Sequence, residues 1–204
     1  MSQKLQQQFG QIDIYLFDQI LRGNISEGSI ILDAGCGHGR NLVYLLREGF
    51  EIYAVDADPG GVAYVRNLSD SLASGLPHEN FRVGQIESMP FAEGLADVVI
   101  CNSVLHFAQN DDHFAAMVSE LWRVLKPGGI LFCRLGSCIG MNFPHIRGNR
   151  YRIHDGSEWY LVDEKMLIDL TCRLNAVLVD PLKTTIVQNH RCMTTWVVRK
   201  PSVG

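Results

Sequence analysis

The chain reads as one α/β domain of 204 residues, a mostly parallel sheet with helices on both faces and an antiparallel C-terminal hairpin. Three observations predict this class. Apolar runs such as Ile30-Ile31-Leu32 and Val98-Val99-Ile100 alternate along the chain with helical patterns, and runs without a polar side belong to strands buried on both faces. Glycines at 35, 37 and 39 follow the first run directly, as at a turn where backbone meets ligand. The last two strand-like runs are joined by a turn too short for a crossover helix, so they pair as a hairpin.

Taken in order, residues 5–22 show Leu5, Phe9, Ile12, Leu16 and Ile20 on one helical face, with Gly23-Asn24 as the stop. A strand at 29–34 leads through the glycines into a helix at 39–48, closed by Gly49. Residues 51–55 form the second strand and end at Asp56; Asp58-Pro59 then supplies an N-cap and a first-turn proline for a helix to Leu72. A short strand at 81–84 and an apolar one at 97–102 follow. A helix over 111–125 stops at Lys126-Pro127-Gly128-Gly129, and 130–135 is the fifth strand. After a long loop at 136–160 come a helix at 163–174 and strands near 176–183 and 191–199.

Composition excludes several classes. A net charge of −4 argues against a nucleic-acid binder that relies on bulk electrostatics. No run is long enough for a membrane helix, and the start (Met-Ser-Gln-Lys-Leu-Gln-Gln-Gln) lacks a signal-peptide apolar segment, so a cytoplasmic protein is expected. Six cysteines show no Cys-x-x-Cys pair or zinc-like spacing, and no metal is expected.

The stretch Ile30 to Asn41 carries the chemistry. Asp33 ends an apolar strand beside the glycine turn, where its carboxylate would repel a pyrophosphate and suit a cationic or donor-rich ligand. A dinucleotide fingerprint also places its third glycine one residue later, where Arg40 stands. The segment Asp33-Ala34-Gly35-Cys36-Gly37-His38-Gly39 resembles the first motif of class I S-adenosylmethionine-dependent methyltransferases, in particular the small single-domain methyltransferase-11/25-like members. The strand and helix order resembles their Rossmann-like, seven-stranded fold along the whole chain.

That resemblance implies S-adenosyl-L-methionine as cofactor and S-adenosyl-L-homocysteine as product. It implies cofactor contacts from Asp33, Ala34, Gly35, Cys36, Gly37 and Gly39 in the turn, and from Asp56 to the ribose hydroxyls. Ala57 stands where the family often has a large apolar residue against adenine, and Gln85 where it often has aspartate. Gln85, Ile86 and Glu87 are expected around the adenine, since an amide both accepts and donates. Residues 97–107 resemble the family's fourth motif, with Asn102 and Ser103 beside the methionine part and His106 as the candidate catalytic residue facing the acceptor; Phe107 replaces a frequent second histidine. Leu121 to Gly129 matches a family signature whose role is structural.

Methyl transfer from a sulfonium needs alignment above all, and a base only for an acceptor that stays protonated. The acceptor is expected to be a small molecule, for which an oxyanion or carboxylate suits the basic loop, held by Arg147, Arg150, Arg152 and Tyr160 of the long loop and by Tyr15, with the N-terminal helix (1–24) covering the cofactor side. Asn102-Ser103-Val104-Leu105 lacks the Asn-Pro-Pro-Tyr pattern of amino-group methylation on DNA bases. Two other readings stay open: a non-catalytic cofactor-binding partner subunit, and a nicotinamide-dependent oxidoreductase, which Asp33 disfavours. The sequence does not set the oligomeric state.

Overall fold

A computed structural model describes residues 2–72, 75–188 and 190–202. Its elements run α1 (Ser2–Phe9), α2 (Ile14–Leu21), β1 (Ile30–Ala34), α3 (Leu42–Arg47), β2 (Glu51–Asp56), α4 (Pro59–Leu72), β3 (Phe81–Val83), β4 (Ala96–Asn102), α5 (Asp111–Val124) and β5 (Leu125–Gly136). There follow β6 (His145–Arg147), β7 (Arg150–Arg152), β8 (Glu158–Tyr160), α6 (Glu164–Arg173), β9 (Val177–Leu178), β10 (Lys183–Val187) and β11 (Arg191–Arg199). The main sheet has the order β10-β11-β5-β4-β1-β2-β3. β3, β2, β1, β4 and β5 are parallel, and β11 runs antiparallel to both β5 and β10. The expected mostly parallel sheet with its terminal hairpin is therefore present.

Two apolar layers sandwich it. On one face Leu131, Cys133 and Trp196 pack with Phe114, Leu121 and Leu167 of α5 and α6. On the other, Ile31, Ile100, Phe132 and Val197 meet Leu16 of α2, Leu45 of α3 and Val65 of α4. Strand alternation puts Asp33, Asn102, Arg134 and Thr195 on this second face, two residues beyond that apolar layer or at its rim.

Four details differ from the sequence-based expectation. The helix over 5–22 is two helices, because Gly10 turns left-handed (φ 62°) and Asp13 is extended, its carboxylate accepting from the Tyr15 N–H at 2.9 Å to cap α2. β5 begins at Leu125, since pairing with Ala96 carries the strand through the Pro-Gly-Gly bulge. The edge strand near 176–183 is broken into β9 and β10, both against β11. Pro181 stands in the break, and a proline cannot donate to a ladder. There Asp180 turns inward to accept from Gln19 Nε2 (2.7 Å) and Arg22, tying down α2.

The fourth is the region 136–160, which is not a loop but a three-stranded antiparallel sheet, β6-β7-β8. It has a small core of its own around Phe143, Ile153 and Leu161, with Tyr151 and Trp159 packed against it. Its strands are three residues each, too short to show alternation in the sequence.

Candidate cofactor cleft and active site

The carboxyl ends of β1, β2, β3 and β4 open onto one cleft of about 480 Å³, the position at which open α/β sheets bind ligands. The turn after β1 forms its floor. Gly35 has φ 81°, and a Cβ there would collide with Val104. Gly61, in the first turn of α4, lets that helix rest on the turn, because its Cβ would lie 2.7 Å from the Gly37 carbonyl oxygen. Neighbouring backbone cannot yield as a flexible side chain can. Gly61→Ala is therefore expected to displace the turn, costing roughly 1–3 kcal/mol of stability and cofactor affinity with it. Gly60→Ala, whose Cβ would meet only the Asp58 carboxylate at 3.3 Å, is the tolerated control. Equal behaviour of the two variants in calorimetry and thermal unfolding would count against this packing role.

Asp56 stands at the end of β2, with Oδ2 accepting from the Gly37 N–H (2.7 Å) and Oδ1 from the Asp58 N–H (2.9 Å). Each oxygen keeps a lone pair for a further donor. Asp58 separately caps α4, accepting from the N–H groups of Gly60 and Gly61. Asp33 is fully buried behind the turn, and neither of its oxygens has a hydrogen-bond partner among the described residues. Burial pushes its pKa up to about 7 against the pull of the Arg40 guanidinium, with Asp56 adding to the rise.

Of the residues expected to contact a cofactor, Gly35, Gly37, Asp56, Ala57, Gln85, Ile86, Glu87 and Ser103 line the cleft. Asp33, Ala34, Cys36, Gly39 and Asn102 lie outside that lining and are buried. Burial holds the Cys36 thiol far above its usual range, so it is inert. Val104, Phe107, His113 and Met117 also line the cleft. The sequence reading missed His113 and Met117 because α5 reaches the site only through tertiary packing. Ser103 has φ 67°, a strained conformation for a non-glycine residue, and its N–H donates to the Arg134 carbonyl at 2.7 Å.

His106 is not on the cleft wall. It is buried and stacked on Trp159, ring centroids 4.0 Å apart, while the neighbouring Phe107 faces the cleft. Burial draws its pKa down to about 4, so it is neutral at pH 7.

The expected acceptor residues stand apart from the cleft lining, with Arg147 and Arg150 on one pocket beside it. Arg150 donates to the Ala108 carbonyl (2.8 Å), and both Arg150 and Arg152 pair with Glu158 across β7 and β8. Antiparallel pairing sets Arg152 directly across from Glu158, while Arg150 also reaches out of the small sheet to Ala108. Tyr160 is buried, stacked on Phe114 and hydrogen-bonded to Asp111 at 2.8 Å, and it stands outside the lining of the cleft at the strand ends. Arg147 is exposed beside a separate pocket formed with Gln109, Asn110 and Asn149.

Tyr15 does reach the strand ends. Its hydroxyl shares a 2.7 Å hydrogen bond with Thr185, and its ring lies under the Arg134 guanidinium, 5.2 Å from the centroid. Beside it Asp13 binds Arg134 at 2.9 Å and lies 3.9 Å from Arg40, which donates to Asn102 Oδ1 at 2.9 Å. Asp13 and Arg134 gave no signal in the sequence, being 121 residues apart. Among the described residues no cluster of His, Cys, Asp or Glu is arranged for a metal, and no helix is long and apolar enough to cross a membrane.

Comparison with known proteins agrees with this geometry. A family model described as a methyltransferase domain matches residues 32–133. A thiol S-methyltransferase of Rattus norvegicus is 36% identical over 122 residues, covering 57% of this chain and 47% of the relative. An uncharacterized methyltransferase of Synechocystis is 33% identical over 106 residues, covering 52% and 46%. The chain thus spans about half the length of the curated relatives it matches. Among solved structures, an S-adenosylmethionine-dependent methyltransferase from Methanosarcina mazei superposes with a TM-score of 0.73 at 18% identity, covering 90% of this chain and 98% of that one. The 1,6-didemethyltoxoflavin-N1-methyltransferase of Burkholderia thailandensis, with S-adenosylhomocysteine bound, gives 0.66 at 21% identity, covering 90% and 76%. The matched segment runs from Leu32 in β1 to Cys133 in β5 and supplies the glycine turn, Asp56 and Ser103, and on it the chain belongs to the class I S-adenosylmethionine-dependent methyltransferase family.

Proposed function

We propose that this chain transfers a methyl group from S-adenosylmethionine to a small-molecule acceptor in the cytoplasm. One observation carries the reading: the buried, unpartnered carboxylate of Asp33 behind a turn that admits a ligand's backbone-close approach. A ligand bearing sulfonium and ammonium groups offsets the cost of keeping that charge dry, whereas a pyrophosphate would add to it. The other residues fit the same ligand. Asp56 keeps acceptor capacity for two ribose hydroxyls, and Ile86 and Met117 offer apolar faces for a purine beside the exposed amide of Gln85. Names of relatives support a small acceptor, a thiol in the rat protein and toxoflavin precursor chemistry in the Burkholderia one. Six free cysteines suit a reducing compartment, and a net charge of −4 disfavours nucleic acid as acceptor.

The bound cofactor supplies a methyl group activated by sulfonium sulfur, with a neutral thioether as leaving group. The chain's part is to hold and align. Asp56 and the turn fix the nucleoside end, and Ser103 closes the end of β4, its N–H on the Arg134 carbonyl and its hydroxyl donating to Asn102 Oδ1 at 3.0 Å. Phe107 adds apolar surface to the cleft wall. His106 takes no proton in this reading, because burial lowers its pKa to about 4, which makes it a weak base, and it is stacked on Trp159 away from the wall.

Calorimetry tests the proposal. S-adenosylmethionine and S-adenosylhomocysteine are expected to bind while NAD gives no heat. NAD binding with silence from the other two would reverse the assignment to the oxidoreductase reading.

A further inference from the structure

Beyond the cofactor cleft a second polar row crosses the sheet. The register aligns Asn102 of β4 with Arg134 of β5, and Arg134 with Thr195 of β11. Strand alternation turns all three to the face covered by α2. Asn102 and Thr195 are 6% and 3% exposed. Asn102 Nδ2, Arg134 Nε and Thr195 Oγ1 have no hydrogen-bond partner among the described residues. Three such atoms in one register row are unusual, since buried polar groups are nearly always paired. Over the row lies the start of α2, where Asp13 takes Arg134 Nη1 at 2.9 Å and Tyr15 packs against the guanidinium. The row thus holds a cation and two further polar side chains, and the anion that answers it comes from the chain's own N-terminal segment.

We propose that this row is the acceptor's recognition site, that Arg134 binds a carboxylate or similar oxyanion of the acceptor, and that Asp13 holds this place until the acceptor displaces it. The inference rests on the methyltransferase reading and names the acceptor class within it. Distance separates the row from the cofactor. The cleft is built on β1, β2, β3 and β4 and ends at Ser103, while Arg134 and Thr195 stand one and two strands further on, roughly 5 and 10 Å away. A planar guanidinium takes a carboxylate through two parallel bonds, which also sets the direction from which the acceptor approaches. Arg150 and Arg152 stand elsewhere, on β7, where Arg150 donates to the Ala108 carbonyl and both lie beside Glu158.

The test uses the full chain saturated with S-adenosylhomocysteine and two small probes, malonate and its uncharged counterpart malonamide. Saturation-transfer NMR is expected to detect malonate and not malonamide. Arg134→Gln should weaken malonate about tenfold or more, and Asp13→Asn, which keeps a capping oxygen for Tyr15, should strengthen it about threefold or more. S-adenosylhomocysteine affinity should stay within about threefold in both variants, which also reports an intact fold. Should Arg134→Gln fail to fold, the Asp13→Asn arm decides alone. Equal binding of the two probes, or unchanged malonate affinity in Asp13→Asn, overturns the proposal. So does an Arg134→Gln variant that loses S-adenosylhomocysteine but keeps 5′-methylthioadenosine, which would give Arg134 to the cofactor's own carboxylate. Failure of the unmodified chain to bind S-adenosylhomocysteine would instead refute the methyltransferase reading.

Discussion

Asp33→Asn is expected to cost the protein its cofactor while making the empty fold more stable. The buried carboxyl titrates near 7 instead of its ordinary 3.8. Between those values the folded chain holds a proton that the unfolded chain has released, so stability falls as pH rises through the window. Above pH 7 the whole penalty is present, on the order of 4 kcal/mol. Asparagine carries no charge to desolvate, and at pH 8 the variant should gain about 2–4 kcal/mol in urea unfolding without ligand. Near pH 4 the two proteins should unfold alike. His106 acts in the opposite sense, because its folded pKa of about 4 lies below the ordinary 6.5. There the unfolded chain binds the extra proton, and stability rises with pH by about 3 kcal/mol across the window. The unmodified protein should therefore show a nearly flat profile between pH 4 and 6.5, and Asp33→Asn a rising one. Equal stability of the two proteins at pH 8 would show that Asp33 is not held at a cost. Cofactor affinity should drop by about a hundredfold or more, since the variant offers the sulfonium and ammonium groups no charge.

The second large effect belongs to Asp56. Asp56→Ala should weaken S-adenosylhomocysteine by roughly 2–4 kcal/mol, the range for charge-assisted bonds to a desolvated partner. Part of that loss is indirect, because the same carboxylate steadies the turn through the Gly37 N–H at 2.7 Å. A 2′,3′-dideoxy analogue separates the two parts. If Asp56 holds the ribose hydroxyls, the unmodified protein should prefer S-adenosylhomocysteine to the analogue and Asp56→Ala should bind both alike. A preference that survives the substitution would assign the hydroxyls to another group.

What the sequence made legible was local. The turn from Gly35 to Gly39, the acid ending β2 and the apolar runs of β1 and β4 are each encoded within a few residues. Asp58 likewise announced its cap beside Pro59. Features built from distant residues stayed hidden. Asp13 is an ordinary aspartate until folding brings it to Arg134, and Arg40 shows only as a missing glycine until it reaches Asn102. Arg150 and Arg152 show the reverse. A basic cluster in the chain looks available, but antiparallel pairing sets Glu158 across from it. His106 sits in a motif that suggested chemistry, and packing against Trp159 decided its environment. The same ignorance of tertiary pairing hid the early start of β5 at Leu125.

The small sheet after β5 leaves and re-enters the main fold at one point. Ser137 bridges Val162, Cys138 donates to the Val162 carbonyl at 2.9 Å, and Val162 donates back to Gly136 at 3.2 Å. An excursion whose ends are already clasped adds little closure entropy whatever its length. Trp159 and Tyr160 nevertheless anchor the returning strand to His106 and Phe114 of the main fold, so the freedom lies in the exposed turns at 147–148 and 154–157. Changes of length confined to those turns should leave the sheet's register and the glycine turn untouched.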